Sequence, residues 1–216
     1  MKRIIFSLCI VAFLFSCASD DNTQQATQQP PVSNFYALTV GNTWVYKSFE
    51  YNSNTMEYED SGIVDTVTII DTEMLNGETY FKFKTVTTGN DSQNPHFNQN
   101  GEQFSLYRET EGDLVNDTGD TVYTNNNYQE RLVATNTWGN IYDKLKENTT
   151  TITVNAGVFT CLDMERYAKS PDNSEVFPGL DHIYYSDGIG LISESISFVS
   201  QNYPIGIRQL ESYNLQ

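Results

Sequence analysis

Histidine, cysteine and basic side chains are all scarce in this 216-residue chain: it has two histidines, three cysteines and 12 Lys plus Arg against 28 Asp plus Glu. The formal net charge of −16 repels DNA, RNA and anionic lipid headgroups, because nucleic-acid binding is dominated by Lys and Arg neutralising phosphates. No nucleic-acid partner is therefore expected. Motifs of activated nucleophiles are missing as well: there is no Gly-x-Ser-x-Gly elbow, Ser-x-x-Lys, His-Glu-x-x-His or phosphate-cradling glycine loop. His96 follows a proline in a polar stretch, and His182 sits beside Asp181 at the start of an expected strand, with no His-x3-His spacing to bind zinc. Asp113, Asp117 and Asp120 crowd one loop without the Asp-x-Asn-x-Asp-Gly pattern of a calcium loop. The expectation is no catalytic residue, no metal, no cofactor and no enzymatic activity. One enzymatic alternative stays open, a hydrolase with an unrecognised carboxylate site, since two acids about 5–9 Å apart in space leave no trace in sequence.

Long apolar runs are equally scarce, and the single one is at the start. Lys2 and Arg3 precede Ile4 to Phe15, interrupted only by Ser7, and small residues end the run at Ser16-Cys17. Charged, apolar and small-residue regions in that order make a secretory signal peptide over residues 1–16. A dozen residues cannot span a bilayer core, which takes roughly 20. The sequence Leu14-Phe15-Ser16-Cys17 resembles the lipobox of bacterial lipoproteins. That resemblance implies cleavage before Cys17, acylation of its sulfur by fatty acids such as palmitate, and usually a third chain on the new amino terminus. One short chain gives only reversible membrane binding, whereas two or three hold stably. Cys17 is thus the expected lipid attachment site, and the membrane the expected partner through it. Loss of residues 1–16 removes Lys2 and Arg3 and no acid, leaving 10 basic and 28 acidic side chains, a charge of −18. Cys9 leaves with the signal, so Cys161 has no partner thiol for an internal disulfide.

Residues 17–33 continue from the lipidated cysteine into ASDDNTQQATQQPPVS, which lacks any hydrophobic period. Such a segment buries too little apolar area to offset its ordering entropy and is expected to be a disordered tether. Ser19-Asp20-Asp21 resembles the acidic surface-export tag of lipoproteins in some Gram-negative phyla; the other reading is a soluble charged linker. The expected address is the outer membrane of a Gram-negative cell.

Residues 34–216 read as one β-rich domain. Thr, Tyr, Val, Ile and Phe recur between turn residues spaced 8 to 15 positions apart, the pattern of antiparallel strands. Strands are expected around Trp44–Tyr51, Phe104–Glu109, Val122–Thr124, Arg131–Ala134, Thr150–Val154, Phe159–Tyr167, His182–Tyr185, Leu191–Val199 and Arg208–Tyr213. The clearest hairpin flanks Asn76-Gly77, the dipeptide a type I′ turn prefers because both central residues take φ > 0. Ile141 and Leu145, four apart, suggest a short helix over residues 136–147. Polar, Asn- and Gly-rich stretches at 89–103 and 117–129 read as exposed loops.

Two passages carry a further resemblance: VGNTWVY at 40–46, and NAGVFTC at 155–161 followed by IYYSDGIGLI at 183–192. They resemble a loosely defined group of bacterial envelope lipoproteins with Gly-Asn-x-Trp-x-Tyr and Gly-x-Gly-Leu-Ile motifs. The resemblance implies an all-β, mostly antiparallel fold, a single curved sheet or half-barrel of the LolA/LolB carrier kind with at most one or two short helices. It implies no specific activity. Physically, Trp44 and Tyr46 share one face of a strand, as do Phe159 and Cys161, so each pair suits a core. Fourteen Tyr and twelve Phe can fill such a core, line a cavity for an acyl chain or stack on sugar rings. The functional reading is a non-catalytic lipoprotein binding a hydrophobic or carbohydrate ligand or a partner protein. A structural or adhesive surface protein without a small ligand is the alternative.

Overall fold

The computed structural model describes residues 34–216; the signal region, Cys17 and the tether lie outside the described residues. Within them the chain forms thirteen strands and no helix: β1 (Thr43–Asn52), β2 (Glu57–Leu75), β3 (Glu78–Thr88), β4 (Gly101–Thr110), β5 (Asp113–Asn116), β6 (Thr121–Thr124), β7 (Arg131–Asn136), β8 (Gly139–Leu145), β9 (Thr150–Val154), β10 (Gly157–Lys169), β11 (Val176–Ser186), β12 (Gly190–Ile196) and β13 (Gly206–Asn214). All-β antiparallel architecture is as the sequence implied. The helix expected over 136–147 is a correction: those residues form the β7–β8 hairpin, turning at Thr137-Trp138. Ile141 pairs with Ala168 and Leu145 with Met164 of β10, so a strand's period of two places both on one face as readily as a helical turn would.

Two meanders share one sheet. Strands β1 to β6 follow one another outward on one side, β13 back through β12, β11, β10, β8 and β7 on the other, and the β1–β13 ladder joins them. Both ends of the described chain therefore meet at the centre of the sheet. The Gln216 amide donates to Asn42 Oδ1 at 2.8 Å. The Asn76-Gly77 turn is as expected, with φ of 54° and 86° between the paired Leu75 and Glu78.

The sheet curls strongly. Tyr123 on β6 donates through its hydroxyl to the Leu162 carbonyl on β10 at 3.0 Å, although these strands lie nine steps apart in the sheet order. At ~4.8 Å per strand a flat sheet would hold them roughly 43 Å apart. Seven of the twelve strand ladders carry a register shift, and such bulges increase local twist and bend. The edges β6 and β7 consequently face each other across a short link. Arg131 on β7 donates to the Thr121 carbonyl on β6 at 2.6 Å, but no ladder joins the two strands among the described residues. The barrel stays open.

Two cores pack against the sheet. Trp44, Tyr46, Val67, Ile69, Ile192 and Leu210 form one with Cys161 and Val154, whereas Tyr123, Leu145 and Met164 form the second with Phe35 and Tyr36. Phe35, Tyr36 and Ala37 lie before β1 and are at most 7% exposed, because they plug one end of the sheet: Tyr36 donates to the Gly112 carbonyl and Gly188 N–H to the Phe35 carbonyl. Strand β9 stands apart, pairing only with the first half of β10, and the tip of that hairpin reaches β13 through Ala156 N–H to the Leu210 carbonyl at 3.3 Å.

Candidate functional site

Side chains on the concave face follow from the register. Trp44 opposes Val67, Ile69 opposes Phe83, and Phe81 opposes Tyr107, so alternate residues of β1 to β4 line one surface. Trp44 and Phe83 stack at 6.2 Å with planes 13° apart, and Tyr107 meets Phe83 edge-on at 5.2 Å. The Trp44 indole N–H donates to the Ile189 carbonyl at 2.7 Å, which fixes the ring. Beneath this aromatic wall the same face turns ionic. Arg208 on β13 donates through Nη1 to Glu194 on β12 at 2.9 Å, and its guanidinium lies 4.0 Å from the Tyr46 ring centroid. Its Nε lies 2.8 Å from Asp65 Oδ2 on β2, an ion pair and not a hydrogen bond because the N–H is not aligned with the oxygen. Burial works to lower the Arg208 pKa, but Glu194, Tyr46 and Asp65 outweigh it and hold the cation above its ordinary value.

Wall and floor enclose a cavity of about 290 Å³. Gln103 and Ser105 on β4 line it and are themselves exposed, so the mouth opens beside that strand. Tyr36 and Leu38 of the plug line it as well. The space therefore presents aromatic faces, the half-buried Arg208–Glu194 ion pair and a polar rim.

The ionic floor continues across the other meander. Arg131, Asp143, Arg166 and Asp181 are neighbours in register on β7, β8, β10 and β11. Asp143 is 2% exposed and receives Arg166 Nε and Nη2 at 2.7 and 2.9 Å and Arg131 Nη2 at 2.9 Å. Asp181 ends the row with Oδ1 unpartnered, and burial pushes its pKa up to about 6 against the pull of Ser197 and Arg166.

The sequence-level candidates fall in several places. Cys17 lies outside the described residues. Cys161 is fully buried in the first core, and burial raises its thiol to about 11, the wrong direction for a nucleophile. His96 packs edge-on against Phe198 at 5.1 Å. Asp113 accepts from Thr121, and Asp120 accepts from Thr118 and Asn116 in a tight turn, so they serve local loop structure. His182 and Asp181 are adjacent in sequence but point to opposite faces of β11. The acid His182 meets is Asp163, whose two oxygens each lie 3.0 Å from Nδ1. Reading along the chain missed Asp163, Glu165, Arg166 and Arg208 because strand pairing, not spacing, brings them to their partners.

Comparison with solved structures places the fold. A candidate exported protein with a YmcC-like fold from Bacteroides fragilis superimposes with a TM-score of 0.51 at 9% identity, covering 84% of this chain and 99% of that one. A candidate lipoprotein from Parabacteroides distasonis gives a TM-score of 0.43 at 15% identity, with the same coverage of both chains. The first likeness assigns this chain a YmcC-like fold and nothing beyond the fold. No protein-family model matches the chain, and no curated protein does.

Proposed function

We propose that this chain is a non-catalytic, lipid-anchored protein of the cell envelope that holds a small ligand, with an apolar body and a polar end, in its concave cavity. The cavity carries the reading. Its size stands at the lower end of the ~300–1,000 Å³ typical of ligand pockets, and it combines stacked aromatic rings with one fixed pair of charges. A hydrophobic or carbohydrate guest would lay its apolar face on Trp44 and Phe83 and direct hydroxyl or charged groups to Arg208 and Glu194. The lipobox-like Leu14 to Cys17 supports the envelope address, and the fold shared with a candidate exported protein is in keeping with it.

A second reading, docking of a partner protein, draws on the opposite end of the sheet from the plug. Trp138, Val176 and Phe198 are each at least 44% exposed there. Native mass spectrometry of the protein extracted from its own membrane separates the two. Co-purifying small molecules lost on Phe83→Ala substitution are expected; an apo mass with a bound protein subunit would overturn the ligand reading in favour of the partner.

A further inference from the structure

The opposite face of β10 and β11 holds a cluster that the cavity does not use. Glu165 stands directly across from His182 in the ladder, and Asp163, two residues along β10, points the same way. One ligand atom from each of the three lies within 4.8 Å of the others, and no other group of three or more His, Cys, Asp or Glu does so among the described residues. The side chains are 12–30% exposed, Asp163 least and His182 most, so the cluster is sheltered yet reachable. Met164 and Arg166 alternate to the concave side, which separates this cluster from the cavity by the thickness of the sheet.

We propose that Asp163, Glu165 and His182 form a binding site for a divalent transition-metal ion of the Zn²⁺ class. An imidazole with two carboxylates suits Zn²⁺ and its neighbours better than Ca²⁺, which takes six to eight oxygens. The spacing fits. With bonds of about 2.0–2.2 Å to nitrogen and oxygen, two ligands of one ion stand roughly 3 Å apart, and Nδ1 is 3.0 Å from each Asp163 oxygen. An ion bound to His182 Nδ1 and an Asp163 oxygen would take the place of the hydrogen bond that now joins them, with any proton held there released to water. Two features hold the ring in position beforehand. Tyr184 lies parallel to the imidazole, planes 1° apart and centroids 5.5 Å apart, and strand pairing fixes the backbone on both sides. Glu165 is the adjustable ligand. It now pairs with Lys146 Nζ at 3.1 Å, and Lys146 is 47% exposed, so this contact is a surface ion pair that contributes about 1 kcal/mol at most. Three ligands leave coordination positions for water or for an outside donor.

Lys146 makes the test specific. Isothermal titration of the detergent-extracted full chain with Zn²⁺, in excess Ca²⁺ to mask the acidic surface, should show one saturable site. His182→Gln should abolish it and His96→Gln should not. Lys146→Met should tighten it by up to about fivefold, the value of removing a 1 kcal/mol competitor. Co²⁺ substituted for Zn²⁺ should give visible absorption bands that vanish with Asp163→Asn. Circular dichroism of each variant keeps a folding defect separate from a lost ligand, and a Glu165→Gln chain that folds but binds more weakly serves where another variant unfolds. Saturable binding unaffected by His182→Gln, or no binding at millimolar Zn²⁺ by a folded wild-type chain, would overturn the site.

Discussion

Asp143 shows how single residues shape this protein. It is a buried carboxylate on an inward strand face, which is tolerable because two arginines from neighbouring strands saturate its oxygens. Arg166→Met would leave it with Arg131 alone. A loss of about 3 kcal/mol is expected in urea unfolding, the low end of the cost of breaking a buried pair; an unchanged midpoint would show that the pair carries little. Asp181 behaves oppositely. Its folded pKa of about 6 lies above the ordinary 3.8, so between those values the folded state binds more protons than the unfolded one, and stability falls as pH rises through that window. Asp181→Asn should raise the melting temperature at pH 7 and give no gain below pH 4. An equal gain at both pH values would assign the effect to packing instead of charge.

At the scale of elements, the bends between strands depend on backbones that touch. Gly89, at the end of β3, has φ of +87°, and a Cβ there would lie 2.0 Å from the Gly62 carbonyl oxygen at the kink in β2. Gly119, in the β5–β6 turn, has nearly the same φ with open space around it. Gly89→Ala is therefore expected to cost well over 2 kcal/mol, against about 1 kcal/mol for Gly119→Ala, the strain of the left-handed conformation alone. Equal costs in thermal denaturation would remove the steric account of the bend. The β2–β3 hairpin is legible in the sequence because Asn76-Gly77 and the alternating Phe81, Phe83 and Lys82, Lys84 agree on it. The β7–β8 hairpin is not: within Asn136 to Glu147, Ile141 and Leu145 satisfy a helix and a strand alike.

For the whole molecule, the plug packs Phe35, Tyr36 and Ala37 into the domain, and the Gln216 amide meets Asn42, so both ends of the described chain lie beside the central ladder. The described residues hold both cores by themselves. Cys17→Ser is accordingly expected to move the protein from the membrane to the soluble fraction with its circular dichroism unchanged. A variant that still sediments with membranes would mean that something other than acylation holds it.

Composition and alternation were enough to determine the antiparallel character of the strands and the Trp44 and Tyr46 core face, because each depends on neighbours one or two residues away. The cavity, the Arg208–Glu194–Asp65 floor and the Asp163–Glu165–His182 cluster were decided only by the tertiary structure. Asp65 and Arg208 alone sit 143 residues apart in the chain, and such residues meet because a bulged sheet rolls two meanders around one shared ladder, a long-range pairing that leaves no periodic mark in the chain.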